Sequence, residues 1–224
     1  MKAKSFISTL LGNIGQIVVG SILWVFCCLP IFTIGPACTA LYYAIVKVVR
    51  RERSNMIEAF FHAFKANFWQ SLNWNLILLS YYAVIALSAT IRIRAVGGFV
   101  LDNVMGVIIA LAALLIWLVP FVYPVISRFF HKGVSLFRFV LYIAVRYFVV
   151  TLLAIALLIG SLVLILHNSA LLMFVPGIYT VILSYLLEPV FKRMSSQAED
   201  SMNYDEWYAD EEDPLAKAID KMMK

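Results

Sequence analysis

Charge is scarce in this chain. Asp, Glu, Lys and Arg supply only 14% of its 224 residues, against roughly 25% in a soluble domain. Hydrophobic residues make up 63%, and the mean hydropathy is +0.90. Small folds leave much of their surface exposed, so no core in a chain of this size hides so many apolar side chains. Lipid is the solvent this composition requires.

Cysteine is equally sparse. Cys27, Cys28 and Cys38 are odd in number, sit in apolar sequence and lack a CxxC spacing, so neither a disulfide framework nor a zinc site is indicated. They read as small buried hydrophobes. The three histidines, His62, His131 and His167, are scattered and offer no metal-ligand spacing. No HExxH, GxSxG, Walker A or dinucleotide fingerprint occurs, and no acidic pair lies inside an apolar run. The expectation is no catalytic residue, no metal and no cofactor. A net charge of +5 without a basic stripe interleaved with aromatics argues against nucleic acid. The basic residues sit at the ends of apolar runs, where they meet anionic headgroups.

What the chain does have is long apolar runs. A spanning helix needs about 20 apolar residues, and four runs qualify: Leu72 to Thr90, Val104 to Ile126, Tyr147 to Leu166, and Ala170 to Leu187. Without period-2 alternation these are helices. The first apolar region, Gly12 to Val49, is too long for one helix and is broken at Leu29 to Ala40. Pro30, Gly35 and Pro36 make a turn there, because proline lacks the N–H a helix interior needs. Pro36 suits the first turn of the next helix. The expected unit is a hairpin, Gly12 to Leu29 crossing outward and Pro36 to Arg53 returning. The apolar part of the return, Ala37 to Val49, is short enough to place the turn below the outer surface. Lys2 and Lys4 precede this region without a small-x-small cleavage site, so the segment reads as retained.

Arg92 and Arg94 fall in the loop expected after the third span. The other 16 of the 18 Lys and Arg residues fall in the N-terminus, in Lys47–Lys65, in Arg128–Arg146 and in the C-terminal tail. Six spans place all four segments on one face, which the positive-inside tendency makes cytoplasmic, with both termini inside. A five-span arrangement, with Ala37 to Val49 lying on the surface, puts Lys2 and Lys4 outside. The cytoplasmic basic cluster is Lys47, Arg50, Arg51 and Arg53. The expected fold is therefore all-α, a six-span transmembrane bundle over residues 1–193.

From Asn55 to Gln70, Ile57, Phe60, Phe61, Phe64 and Phe68 share one helical face, with Glu58, His62 and Lys65 opposite. This pattern fits an interfacial amphipathic helix; the same spacing also packs phenylalanines against the bundle. Residues 194–224 form an acidic cytoplasmic tail, with eight acidic residues between Glu199 and Asp213 and Tyr204, Trp207 and Tyr208 among them. Such a run reads as a solvated tail.

The N-terminal third carries LPIFTIGPACTALYYAIVKVVRRE followed by FFHAFKANFWQSLNWN. This resembles the YesL-type family of bacterial integral membrane proteins, a domain of unknown function. Pro30, Gly35, Pro36, Ala40, Arg50, Phe64 and Phe68 carry the likeness. Weaker similarity continues at Pro124–Arg128 and Leu187–Phe191, so that it covers roughly residues 10–193. The resemblance implies a small multi-span protein of the cell membrane, often encoded beside sugar-uptake and polysaccharide-degradation genes. It implies no biochemical activity.

Span interiors carry no ionisable group, which weakens an ion-coupled transporter. Helix breaks at Pro30–Pro36, Pro120 with Pro124, and Pro176-Gly177 are either packing kinks or the marks of a transport site. Asn73, Asn75, Tyr81 and Tyr82 on the third span either line a polar cavity or bond neighbouring helices. The leading expectation is a non-enzymatic accessory membrane protein, its partners the lipid bilayer and other membrane proteins of a sugar-uptake system. The alternative is a small permease for a neutral or sugar-like solute. A membrane-bound sensor has only the acidic tail behind it.

Overall fold

The computed structural model describes residues 13–50, 55–94, 117–129 and 134–195. Among these, secondary structure is helical throughout, with no strand. Helix α1 spans Ile14–Cys27; a 3-10 turn at Ile31–Thr33 leads into α2, Ile34–Ala44, whose pairing widens to π-type over Ile45–Arg50. Helix α3 spans Met56–Arg94. A helical stretch at 117–128, α4, is followed by α5, Val134–Arg146, and α6, Phe148–His167. A second 3-10 turn at Ser169–Met173 leads into α7, Val175–Ser195. The chain divides into two compact units, Met1–Leu186 and Leu187–Lys224, with the boundary inside α7.

The break at Pro30–Pro36 is present. Pro30 sits in extended conformation before the 3-10 turn, and Pro36 is the third residue of α2, in the first turn where its missing N–H costs no hydrogen bond. The return limb starts earlier than Pro36, so Ile31–Arg50 forms a 20-residue helical rod, most of it buried. Helix α1, by contrast, has only 14 residues, about 21 Å at 1.5 Å per residue. That is shorter than a hydrocarbon core of about 30 Å.

The largest departure from expectation is α3. Its 39 residues run without interruption from the segment expected at the interface into the third span, a length of about 58 Å. Residues 56–94 contain neither proline nor glycine, so nothing in the backbone stops the helix. Asn55 starts it, its Oδ1 accepting the Ile57 N–H at 3.3 Å, the bond an N-cap side chain makes. Arg92 and Arg94 lie on the last turn of this helix and not in a loop.

The first half of α3 takes the second arrangement its pattern allows, packed against a neighbouring helix. It packs antiparallel to α2, because Met56, Ala59, Phe60 and Ala63 join Ala40, Leu41, Ala44, Ile45, Val48 and Val49 in one buried cluster. The alanines let the two helices approach closely. The buried stripe is thus turned away from the aromatic one: Phe60 is fully buried, Phe64 and Phe68 are half-buried, and Ile57 and Phe61 point outward. Glu58, His62 and Lys65 are exposed.

Two further boundaries move. Pro176-Gly177 is not a break within a span but the first turn of α7, which starts at Val175. At the other end α7 continues through Pro189 to Ser195, so the last helix does not stop at Leu187. Pro120 and Pro124 both lie inside the helical stretch 117–128. Of the expected fourth span, Val104 to Ile126, residues 104–116 fall outside the described residues. Helix α6 matches the fifth expected span closely, and only 11% of it is buried.

Candidate functional site

The polar side chains of the interior converge on the hairpin turn. Asn75, from α3, donates Nδ2–H to the Ile31 and Phe32 carbonyls at 3.2 and 3.1 Å, and its Oδ1 accepts the Tyr123 hydroxyl at 3.2 Å. One turn away, Thr39 Oγ1 and Ser71 Oγ are 2.9 Å apart. Thr33 Oγ1 lies 2.6 Å from both the Cys27 and Pro30 carbonyls, and its single proton serves one at a time. The bonds from Asn75 and Thr33 add side-chain donors to the carbonyls of the broken segment, Cys27, Pro30, Ile31 and Phe32. The irregular segment at Cys28–Thr33 is thereby tied to α3 through its backbone, while its side chains from Leu29 to Phe32 are exposed.

Gly35 makes the clasp fit. A Cβ there would stand 2.7 Å from the Ser71 carbonyl oxygen and 2.8 Å from Asn75 Cβ, so α2 and α3 touch backbone to backbone. Gly177 does the same for α1 and α7: its N–H donates to Ser21 Oγ at 2.9 Å, and Ser21 donates to the Ile17 carbonyl at 3.0 Å. Pro30, Gly35, Pro36 and Ala40 thus belong to one packed joint, in which Gly35, Pro36 and Ala40 are buried while Pro30 is exposed. Around the turn Phe26, Leu29, Ile31 and Phe32 face outward.

At the far end of α2 the basic residues are engaged with aromatics. Arg50 donates to the Ser184 carbonyl at 3.0 Å, and its guanidinium lies 4.3 Å from the Tyr185 ring centroid. Lys47 Nζ is 3.4 Å from the Tyr43 hydroxyl and 5.6 Å from that ring's centre, and Tyr43 meets His62 with ring centroids 6.1 Å apart. Arg51 and Arg53 fall outside the described residues, as does His131. Arg50 thus works as a tie between α2 and α7. Arg50→Ala is expected to lower stability by about 2 kcal/mol, through the lost charge-assisted bond and the lost stacking. Arg50→Lys retains the charge without the planar fork and is expected to recover under half of that loss. Denaturant unfolding of the purified variants checks the order.

The expected cavity-lining residues separate. Asn75 is buried in the clasp, Asn73 is exposed, and Tyr81 and Tyr82 are half-buried with their rings in an edge-on pair 6.3 Å apart. None of the four lines the cavity of about 170 Å³ enclosed by α1, α2, α4, α6 and α7. That cavity is lined mainly by hydrocarbon and aromatic groups, with Trp24, Cys38, Tyr42, Tyr123, Ser161, Tyr179 and Thr180 as the residues whose side chains carry heteroatoms. Several of these are bonded within the protein. Trp24 Nε1 donates to Cys38 Sγ at 3.3 Å, Ser161 to the Leu158 carbonyl at 2.7 Å and Thr180 to the Pro176 carbonyl at 2.7 Å. Among the described residues no three His, Cys, Asp or Glu side chains come together as a metal site.

Among the described residues these features define an all-helical protein with two helices long and apolar enough to cross a membrane, Ile31–Arg50 and Phe148–His167. Residues 17–89 match a family described as a protein of unknown function, DUF624. The match covers about a third of the chain and coincides with α1, the clasped turn, α2 and most of α3. No curated protein and no solved structure matches the chain.

Proposed function

We propose that this chain is a non-enzymatic accessory protein of the YesL type, a multi-pass integral protein of the cell membrane that works by holding other membrane proteins. One observation carries the reading. The polar side chains of the interior, Ser21, Thr39, Ser71, Asn75 and Tyr123, are spent on bonds between and within helices, while the outward faces are hydrocarbon. Leu76, Ile77, Val84 and Leu87 on the second half of α3, and Leu153, Ile159, Val163 and Leu166 on α6, are each half or more exposed or close to it. In water such faces aggregate; in lipid they are the ordinary exterior of a spanning helix.

Association with carbohydrate uptake or utilisation rests on the YesL-type resemblance. A sugar-like solute needs several polar groups aimed at it, and the Trp24, Ser161 and Thr180 donors around the cavity are turned into the protein. This arrangement favours an accessory role over a sugar permease. In-cell cross-linking followed by purification in mild detergent is expected to recover the same membrane-protein partner repeatedly. A consistently solitary protein overturns the proposal. Solute-dependent thermal stabilisation together with uptake into vesicles establishes the permease instead.

A further inference from the structure

Five helices border the cavity beside α6, and its chemistry specifies an occupant. The geometry points to a binding site for the end of one acyl chain of a membrane lipid, admitted sideways between α6 and α7. This inference rests on the membrane reading above.

Size sets the first limit. A cavity of about 150 Å³ lined by apolar side chains stays dry and takes a benzene-sized guest, so about 170 Å³ accommodates a terminal stretch of roughly six carbons. Polarity sets the second. With Trp24, Tyr123, Ser161 and Thr180 donating to Cys38, Asn75, Leu158 and Pro176, a polar guest would forfeit its hydration with few donors to replace it. An alkyl chain forfeits nothing.

Access sets the third limit. Leu162 lines the cavity and is also 51% exposed, and it belongs to the helix with the least buried surface of the two membrane-long ones. The opening therefore lies beside exposed leucine and valine side chains of α6, where in a bilayer the neighbouring molecules are lipid tails. Deeper in, Tyr42 lines the same cavity yet is only 1% exposed. A reagent in bulk lipid reaches Leu166 freely but meets Tyr42 only by entering the cavity.

That contrast supplies the test. The full chain is reconstituted into vesicles containing phosphatidylcholine with a diazirine at the end of one acyl chain, irradiated, and its adducts mapped by mass spectrometry. Adducts are expected on Tyr42, Cys38 or Tyr179 as well as on outward residues of α6 such as Val163 and Leu166. Ser161→Phe, which fills the space, is expected to lower the cavity adducts at least fivefold while leaving those on Val163 and Leu166 unchanged. Labelling of α6 with none on Tyr42, Cys38 or Tyr179 overturns the site and leaves the membrane reading standing. Absence of label on α6 as well overturns both. Unchanged cavity labelling in a folded Ser161→Phe protein also overturns the site; where that variant does not purify folded, the wild-type map decides.

Discussion

Gly177→Ala is expected to destabilise the protein by about 2 to 3 kcal/mol, whereas Gly160→Ala is expected to stabilise it by up to about 1 kcal/mol. The main difference between the two positions is what a methyl group would meet. At Gly177 a Cβ would come within 2.5 Å of Ser21 Oγ, 2.6 Å of Ile17 Cγ2 and 2.8 Å of the Ile17 carbonyl oxygen. The backbone oxygen cannot swing away, so α1 and α7 must part, the cost seen when packed interiors are overfilled. The Gly177 N–H bond to Ser21 weakens at the same time. At Gly160, inside α6, nothing stands within 4 Å, and alanine gains the helix propensity that glycine lacks. Gly35→Ala belongs with Gly177, since the Ser71 carbonyl, Asn75 Cβ and the Tyr123 ring all crowd the position. Thermal and denaturant unfolding in one detergent ranks the three. Equal effects at Gly177 and Gly160 would mean that the helix contacts are not as described.

Asn75→Ala is expected to cost about 3 kcal/mol, and Asn73→Ala less than about 0.5 kcal/mol, though the two residues lie half a turn apart on one helix. Removing the Asn75 amide takes one donor each from the Ile31 and Phe32 carbonyls and the acceptor from the Tyr123 hydroxyl. Each of the three lost bonds is worth about 1 kcal/mol. Asn73 is exposed, and changes at such sites are usually within about 0.5 kcal/mol. A double-mutant cycle isolates the link to Tyr123: Tyr123→Phe with Asn75→Ala is expected to cost less than the sum of the singles by about 1 kcal/mol. Strict additivity would break the clasp described here, because the two side chains would then not be bonded.

What could be read from residues alone was whatever proline and lipid chemistry dictate locally. The interruption at Pro30–Pro36 follows from two prolines within seven residues, and α6 from an unbroken apolar run bounded by Tyr147 and His167. The continuity of α3 escaped for a physical reason. At Gln70 the exposed face changes from polar to apolar, which looks like an element boundary, but a helix ends on backbone grounds and none exists there. Periodicity also favoured the stripe of large aromatics at Ile57, Phe60, Phe61, Phe64 and Phe68. The partner helix selects the stripe that admits closest approach, through Ala59 and Ala63. Pro176-Gly177 looked like an internal kink because the run from Ala170 is continuously apolar; the 3-10 turn, started by Asn168 Oδ1 on the Ala170 N–H at 3.1 Å, ends at Met173 before α7 begins.

The clasp and the cavity could not be foreseen in that way. Asn75 was one of four polar residues on the same span, and only the tertiary contact with Ile31, Phe32 and Tyr123 distinguishes it from exposed Asn73. The cavity is a joint product of five helices, several of them far apart in the chain. Its lining residues share no motif.

The central claim is that the hydrocarbon faces of α3 and α6 belong in a bilayer. Alkaline carbonate extraction of membranes from cells expressing the full chain tests it most directly. The protein is expected to stay in the membrane pellet after the wash and to be released only by detergent. Release into the carbonate supernatant, with the protein still folded and monodisperse without detergent, would contradict the account.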